Sequence, residues 1–301
     1  MAASSPPSAV PAPRRLIPSL GGLHRLPWLT GLAGLWLLLV LVVAVAAPLL
    51  APYPPDQQSL LARFKPPFFL DGAEPRFLLG TDELGRDLLT RLAYGIRTSI
   101  LVAFAGTAIG AAVGIVLGFL TAHFRGAFEE AVMMLVDVQA ALPFFIFALA
   151  ALAFFGGGFW IFVIIVGLHG WEVYARLTRG LVLSAQSHGY IQAVRSLGAG
   201  PLRVHLRHVL PNIASALLVQ LTLSFPDIIL LETSLSFLGL GIQPPRASLG
   251  LMLGTGRDYL LIAWWVAILP GLAITLTTLA MSLLGDWLRD RLDPTLRRSE
   301  G

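Results

Sequence analysis

The residues of this chain with the clearest chemical potential are the cations between positions 176 and 211. This stretch of 36 residues lacks Asp and Glu but contains five arginines and three histidines, namely Arg176, Arg179, Arg195, Arg203, Arg207, His188, His205 and His208. Guanidinium groups form strong, charge-assisted hydrogen bonds with carboxylates and phosphates. Arg203 and Arg207 stand one turn apart on a predicted helix, where like charges disfavour an isolated helix. The pattern therefore predicts an anionic partner, either lipid phosphate or protein.

Four carboxylates fall within otherwise apolar stretches: Asp137, Glu172, Asp227 and Glu232. An Asp at the centre of a membrane span costs about 2.5–3.5 kcal/mol on insertion scales. For Asp137 and Glu172 the sequence favours hydrogen bonding between helices or a place near a span end. Asp227 and Glu232 follow Pro226, and they are equally well explained as pairing residues or as possible members of a substrate pathway that attracts an ammonium group or a metal cation.

The chain lacks the residue patterns that several kinds of catalysis require. The only lysine is Lys65, so a phosphate-binding loop with a Gly-Lys-Ser/Thr sequence is excluded. The chain contains no cysteine, no His-Glu-x-x-His pattern and no Gly-x-Ser-x-Gly turn. His205 and His208 have no acid nearby in sequence, and we expect them in a loop or facing lipid. The sequence therefore predicts no enzyme, no metal site and no cofactor.

The composition places these residues in a membrane protein. The chain of 301 residues is 56% hydrophobic and only 13% charged, and about 20 apolar residues span a bilayer as a helix. We predict an all-α polytopic membrane protein with six transmembrane helices, over residues 28–50, 98–122, 130–154 with a kink at Pro143, 159–177, 212–238 and 260–285. The predicted organisation is a cytoplasmic N-terminal segment 1–27, a first transmembrane anchor 28–50, an extracytoplasmic insert 51–97, a five-helix core 98–287 that contains the loop 176–211, and a cytoplasmic tail 288–301.

The distribution of basic residues predicts the orientation. The predicted inner segments carry 13 Lys and Arg and the outer segments 8, and short loops rich in these residues stay cytoplasmic. Six spans then place both termini in the cytoplasm. This topology also explains the net charge of +4, so we predict contact with the lipid bilayer and none with nucleic acid.

Local patterns predict the structure of the loop 176–211 and of two other segments. Residues 187–197 predict a short helix with Ile191, Val194 and Leu197 on one face. Gly198 and Gly200 permit a sharp turn, and Pro201 suits the first position of a second helix, whose apolar face is formed by Leu202, Leu206, Val209 and Leu210. Residues 80–87 predict a turn that leads into a helix capped by Thr81 or Asp82. Glycines at every fourth position from 106 to 118 predict close packing with a neighbouring helix.

Four segments carry a resemblance to a known family. The run Gln192-Ala193-Val194-x3-Gly198, followed after nine residues by His208-x-Leu210-Pro211, resembles the loop motif of the permease subunits of bacterial ABC importers. That motif typically reads Glu-Ala-Ala-x3-Gly-x9-Ile-x-Leu-Pro, so this chain departs from it at Gln192, Val194 and His208. Residues 80–87, 235–245 and 284–294 are similar to the second permease type of the dipeptide, oligopeptide and nickel importers.

The resemblance implies a permease subunit that moves di- or oligopeptides inward by alternating access. It implies a homologous second permease, two ATP-binding subunits and an extracytoplasmic substrate-binding protein as partners. It assigns ATPase coupling to one set of positions: Gln192, Ala193, Val194, Arg195, Leu197, Gly198, Ala199, Leu210 and Pro211. Nickel import is the main alternative, and a stand-alone secondary transporter would require a repeated architecture that the sequence does not display.

Overall fold

The computed structural model describes residues 27–292. Residues 1–26 of the predicted N-terminal segment and residues 293–301 of the predicted tail lie outside the described part. Within residues 27–292 the chain is helical and contains no β-strand, apart from one isolated bridge between Thr81 and Asp87. The prediction of an all-α fold is confirmed.

The α-helices of the described chain follow in the order α1 Pro27–Leu50, α2 Leu88–His123, α3 Ala127–Ala141, α4 Phe144–Phe155, α5 Phe159–Gly167, α6 Trp171–Gln186, α7 Gly189–Ser196, α8 Pro201–Arg203, α9 Leu210–Phe237, α10 Leu249–Gly256 and α11 Trp265–Leu292. Within residues 27–292, five segments are long and apolar enough to cross a membrane: Trp28–Leu50, Leu88–His123, Phe159–Gln186, Pro201–Phe237 and Trp265–Leu292. The pair α3 and α4 supplies a sixth if it is counted as one broken span.

The predicted third span is not a single kinked helix. Helices α3 and α4 meet at an angle of 98°. Proline disfavours helical backbone in the residue before it, and Leu142, which precedes Pro143, is extended with φ −88° and ψ 133°. Pro143 therefore breaks the span where the sequence predicted only a bend.

The predicted fourth span is longer than expected and is interrupted near its middle. Helix α5 ends at Gly167, and α6 begins after Gly170, whose φ is +82°. Helix α6 then runs to Gln186, so the first third of the predicted loop 176–211 is helical. Arg176 and Arg179 are accommodated on α6 because carboxylates of α3 neutralise them: Arg176 donates to Asp137 over 2.9 Å, and the Nε of Arg179 donates to Glu129 over 2.6 Å.

The packing of α2 confirms the predicted glycine seam over residues 106–118: Gly106 and Gly110 lie against the end of α5 and the turn that follows it, and Gly114 and Gly118 lie against α6. A Cβ atom added to Gly114 would stand 2.5 Å from the Cβ of Tyr174, and one added to Gly118 would stand 2.6 Å from the Cβ of Thr178. These separations are too short for any side chain larger than hydrogen. The seam therefore sets the distance between the two helices, in the way that small residues allow close approach of membrane helices.

The start of α2 is capped differently from the prediction. Neither Thr81 nor Asp82 caps it; the N-cap is Asp87, whose Oδ2 accepts from the backbone N–H of Thr90 over 2.8 Å. Burial raises the pKa of the Asp87 carboxyl above its ordinary value. Asp82 does not cap the helix because its carboxylate accepts a hydrogen bond within the turn. Its Oδ1 accepts from the backbone N–H of Arg86 over 3.0 Å.

Asp82 also fastens the insert to the helices. Its Oδ2 accepts from the Nε of Arg86 over 2.7 Å and from the guanidinium of Arg91 on α2. The backbone oxygen of Thr81 accepts from the indole N–H of Trp265 on α11 over 3.3 Å. These bonds tie the turn at residues 80–87 to both helices, so the turn acts as a fixed junction between α2 and α11.

The glycine seam generates a stability prediction. Replacing Gly114 by Ala forces a methyl group into the backbone of α6, and such overpacking typically costs about 1–3 kcal/mol. Gly180, on α6, has no atom within 4 Å of its would-be Cβ, so Gly180→Ala serves as a matched control that is neutral or stabilising by about 0.5–1 kcal/mol. Thermal unfolding of the purified chain in detergent measures both. Equal midpoints for the two variants would show that the seam does not control the packing.

Candidate functional site

The polar residues after α6 form a hairpin, residues 187–211, that packs against the last turns of α2 and α6. Helix α7 is followed by Gly198, whose φ of +82° reverses the chain direction. Such a backbone costs about 1–2 kcal/mol in residues with a side chain. Pro201 begins α8 as predicted, but the second helix continues over Val204–Val209 as a π-helix before α9 begins at Leu210. π-Helical turns inside α-helices are rare and often occur at functional sites.

The inner face of the hairpin is anchored in an apolar cluster. Ile191 of α7 and Val204 and Val209 of the π-helical segment are fully or almost fully buried. They pack with Ala122 at the end of α2 and with Val182 on α6. The hairpin therefore moves with the ends of these helices rather than as a free loop.

Two hydrogen bonds also hold the hairpin together. The side-chain amide of Asn212 on α9 donates to the hydroxyl of Tyr190 on α7 over 2.7 Å and to the carbonyl of His208 over 2.6 Å. These bonds join the two arms of the hairpin. They fix the place of α7 relative to the start of α9.

The outer face combines apolar and basic side chains. Leu197 is 87% exposed, Leu202 71% and Leu206 54%. Each of the two apolar helix faces predicted from the sequence is therefore partly buried and partly exposed. Arg195, Arg203 and Arg207 are exposed beside them. Protein interfaces combine an apolar centre with arginine and a polar rim. This surface, composed of the three leucines and three arginines, has that composition and is called here the docking face.

The residues predicted to couple to an ATPase fall into two places. The group 192–199 lies together at the end of α7 and in the following turn, where Gln192, Ala193, Arg195, Leu197 and Gly198 are exposed. Val194 and Ala199 are half-buried and rest on the apolar cluster. Leu210 and Pro211 begin α9, beyond the π-helical segment. The structure thus places seven of the predicted positions around the end of α7 and the other two at the start of α9, where Leu210 packs against the same apolar cluster as Val194 and Ala199.

His205 does not lie in a loop or face lipid, as the sequence suggested. It is buried, and its ring stands 5.6 Å from the ring of Phe119 and 5.5 Å from that of His123, centroid to centroid. Its Nε2 lies 3.3 Å from the side-chain nitrogen of Gln186 at the end of α6. The π-helical geometry turns this side chain inward, a feature that an α-helical pattern could not predict.

The two acids of α9 differ in environment. Asp227 is exposed on the described chain, whereas Glu232 is fully buried. The hydroxyl of Ser99 on α2 donates to Glu232 over 2.9 Å, and that of Ser236 donates over 2.8 Å. In this conformation Glu232 joins α2 to α9 and does not line an open path.

The same serines hold the segment after α9. The hydroxyl of Ser99 accepts the backbone N–H of Leu249 over 3.1 Å, and that of Ser236 accepts from Ile242 over 3.2 Å. Leu249 begins α10. Glu232 is therefore the centre of a hydrogen-bonded network that includes α2, α9 and α10.

This network generates a second stability prediction. Glu232→Leu leaves the hydroxyls of Ser99 and Ser236 without their acceptor, and each unsatisfied buried group costs about 1–3 kcal/mol. Asp227→Leu on the same helix removes an exposed carboxylate, so its effect should stay within about 0.5 kcal/mol. Thermal unfolding in detergent compares the variants. The network would not be stabilising if Glu232→Leu unfolded at or above the midpoint of Asp227→Leu.

Comparisons with known proteins agree with this architecture. Residues 114–298 match the family described as the binding-protein-dependent transport system inner membrane component. Residues 30–67 match the N-terminal transmembrane domain of oligopeptide transport permease C. The match to the first family covers more than half of the chain.

Similar proteins include the di/tripeptide transport system permease protein DppC of Pseudomonas aeruginosa, which is 44% identical over 88% of both chains. The dipeptide transport system permease protein DppC of Haemophilus influenzae is 33% identical over 88% of this chain and 90% of that protein. The glutathione transport system permease protein GsiD of Pectobacterium atrosepticum is 37% identical over 88% and 86% of the two chains.

A solved structure shares the fold. A chain of the MetNI methionine ABC transporter, in an inward-facing conformation, superposes with a TM-score of 0.53 at 18% identity. The superposition covers 68% of this chain and 96% of that one. Together with the matched family and the anchored hairpin, these relationships show that the chain is a multi-pass membrane protein that belongs to the inner-membrane permease components of binding-protein-dependent ABC importers.

Proposed function

We propose that this permease carries di- or oligopeptides into the cell and is driven by ATPase subunits that bind its docking face. The observation that carries the proposal is the hairpin 187–211, which is fixed to the helix ends on its inner face and exposes leucines and arginines on its outer face. The names of the similar permeases support peptides as the cargo. Nickel import, the alternative left open by the sequence, has no comparable support among those names.

The geometry supports a direct mechanical coupling. A cleft on the ATPase would receive α7 and the turn at Gly198, with Leu197 and Leu202 as apolar contacts and Arg195 as a charged one. Closure of two ATPases around ATP would displace this tip. Because Ile191 and Val204 are buried against α2 and α6, the displacement would pass to those helices and alternate the access of the substrate path.

The partners follow from the same arrangement. A homologous second permease would complete the translocation path, since a single chain exposes Asp227 on the surface of α9. An exposed carboxylate there suits the ammonium group of a peptide. The insert 51–97 and the segment 239–258 would face the extracytoplasmic binding protein, with both chain termini in the cytoplasm.

The coupling role is tested at the turn of the hairpin. Gly198→Ala imposes a side chain on a left-handed backbone, whereas Gly200 has no positive φ, and both would-be Cβ atoms have open space. We expect Gly198→Ala to weaken ATPase binding about five- to thirtyfold, the equivalent of about 1–2 kcal/mol, and Gly200→Ala to bind normally. Co-purification with the ATPase subunits measures retention.

A second readout separates docking from folding. Both glycine variants should keep the thermal midpoint of the wild-type permease to within a few degrees, because the turn is exposed. Full ATPase retention and full peptide-stimulated ATP hydrolysis in Gly198→Ala would contradict the coupling proposal.

The orientation can be tested without removing native thiols, since the chain contains no cysteine. Leu61→Cys places a thiol in the insert, where the side chain is almost fully exposed, and Arg203→Cys places one in the hairpin. A membrane-impermeant maleimide added to intact spheroplasts should label the first variant and spare the second until the membrane is opened. Labelling of Arg203→Cys in intact spheroplasts would reverse the proposed topology.

The cargo is tested by uptake in the assembled importer. Reconstituted vesicles should accumulate a labelled dipeptide in an ATP-dependent manner, and Asp227→Asn should lower the rate several-fold if the carboxylate meets the ammonium group. Accumulation of Ni²⁺ without peptide uptake would replace the peptide proposal by the nickel alternative.

A further inference from the structure

We propose that the cavity between the C-terminal end of α2, the end of α6 and the hairpin is a binding site for an anionic group of the phosphate class. The cavity has a volume of about 520 Å³, which lies within the range of small-molecule sites. Its polar lining consists of His123, Arg125, Gln186 and Arg195, above an apolar floor that includes Ala122 and Val204. The inference does not depend on the proposed cargo or on ATPase docking.

The fold brings two arginines from distant parts of the sequence to this cavity. Helix α2 ends at His123, where the backbone N–H of Phe124 donates to the carbonyl of Leu120 over 2.8 Å, and Arg125 follows directly. Arg195 arrives from α7, just before the chain reversal at Gly198. The separation of 70 positions explains why the sequence pattern did not reveal the pair.

The back of the cavity is held in place by buried contacts. The ring of His205 is buried behind it, 5.5 Å from the ring of His123. The side-chain nitrogen of Gln186 lies 3.3 Å from Nε2 of His205. One donor of the Gln186 amide is therefore oriented by His205, and the second is left for a ligand.

The charge of the cavity is uncompensated within the described chain. No carboxylate lines it. Among residues 27–292, neither Arg125 nor Arg195 has an acidic oxygen within the 4.0 Å of a salt bridge, in contrast to Arg176 and Arg179, which pair with carboxylates of α3. Both arginines are exposed to solvent, so an anion can enter the cavity and accept their N–H groups.

Phosphate is the chemical class that fits these donors best. Two guanidinium groups and an amide supply several N–H donors, and planar Arg donors bind phosphate oxygens in bidentate fashion. The cavity opens beside the end of a candidate membrane span, where the headgroups of anionic lipids lie and where free phosphate also has access. The phosphate group could therefore belong to a phospholipid or to a soluble ion, and the test distinguishes them.

The test uses the purified full chain in detergent without other subunits, and follows the thermal midpoint during titration. The two probes are inorganic phosphate at constant ionic strength and a short-chain phosphatidylglycerol. A ligand of the native state raises the midpoint in a saturable way. Arg125→Gln should require about tenfold more probe for the same rise, since hydrogen bonds to charged groups contribute enough for at least that factor.

Two further variants control the experiment. Arg203→Gln removes an exposed arginine of the hairpin that does not line the cavity, and should titrate like the wild type. Arg125→Lys keeps the charge and should lose less than Arg125→Gln, which separates a lost contact from a lost fold.

Each outcome decides the proposal. Saturation by both probes identifies a phosphate site, and saturation by the lipid alone identifies a headgroup site. Equal losses in Arg125→Gln and Arg203→Gln, or no saturable rise with either probe, would overturn it. So would normal titration of Arg125→Gln combined with reduced retention of the ATPase, because the cavity would then hold an acidic side chain of that partner.

Discussion

The close contact between the backbones of α2 and α6 is the constraint on which the other features depend. Glycines at 114 and 118 let α2 lie against Tyr174 and Thr178 without an intervening side chain. This contact fixes the position of α6 relative to α2, and therefore the position of the hairpin that follows α6. The apolar cluster under the hairpin includes Ala122 and Val182 from the same two helices. A change in the seam is thus expected to move the docking face as well as the bundle.

The two ends of the bundle are held by different forces. At the end where α2 begins, buried carboxylates organise the contacts: Asp82 binds two arginines, and Glu232 binds two serine hydroxyls. Such bonds are directional and require specific partners. At the end where α2 finishes, the hairpin rests mainly on aliphatic contacts of residues such as Ile191. Apolar contacts have little directional preference, so this end tolerates small sliding displacements better than the first.

The sequence predicted the helical class, the helix over residues 28–50, the glycine seam and the turn at Gly198, because each depends on local periodicity or on glycine itself. It failed where the determinant was distant in sequence. The arginines at 176 and 179 appeared as loop residues because their partners lie on α3, about 40 or more positions earlier. The inward position of His205 depends on a π-helical segment, which has no sequence signature that a 3.6-residue period would detect. Ser99 gave no signal, since a single serine is common in an apolar helix.

The second arm of the hairpin runs directly into α9, and this continuity has a mechanical consequence. Residues Pro201–Phe237 form one continuous helical span of 37 residues that includes the π-helical segment, roughly 55 Å long at about 1.5 Å per residue. A shift imposed on Leu202 cannot be absorbed by a flexible hinge on this side. The span is expected to tilt as a lever about the buried Phe225–Pro226 region. A push at Leu202 would then move Ser236 in the opposite direction and strain its hydrogen bond to Glu232. The translocation path would then open at one side of the membrane as it closes at the other.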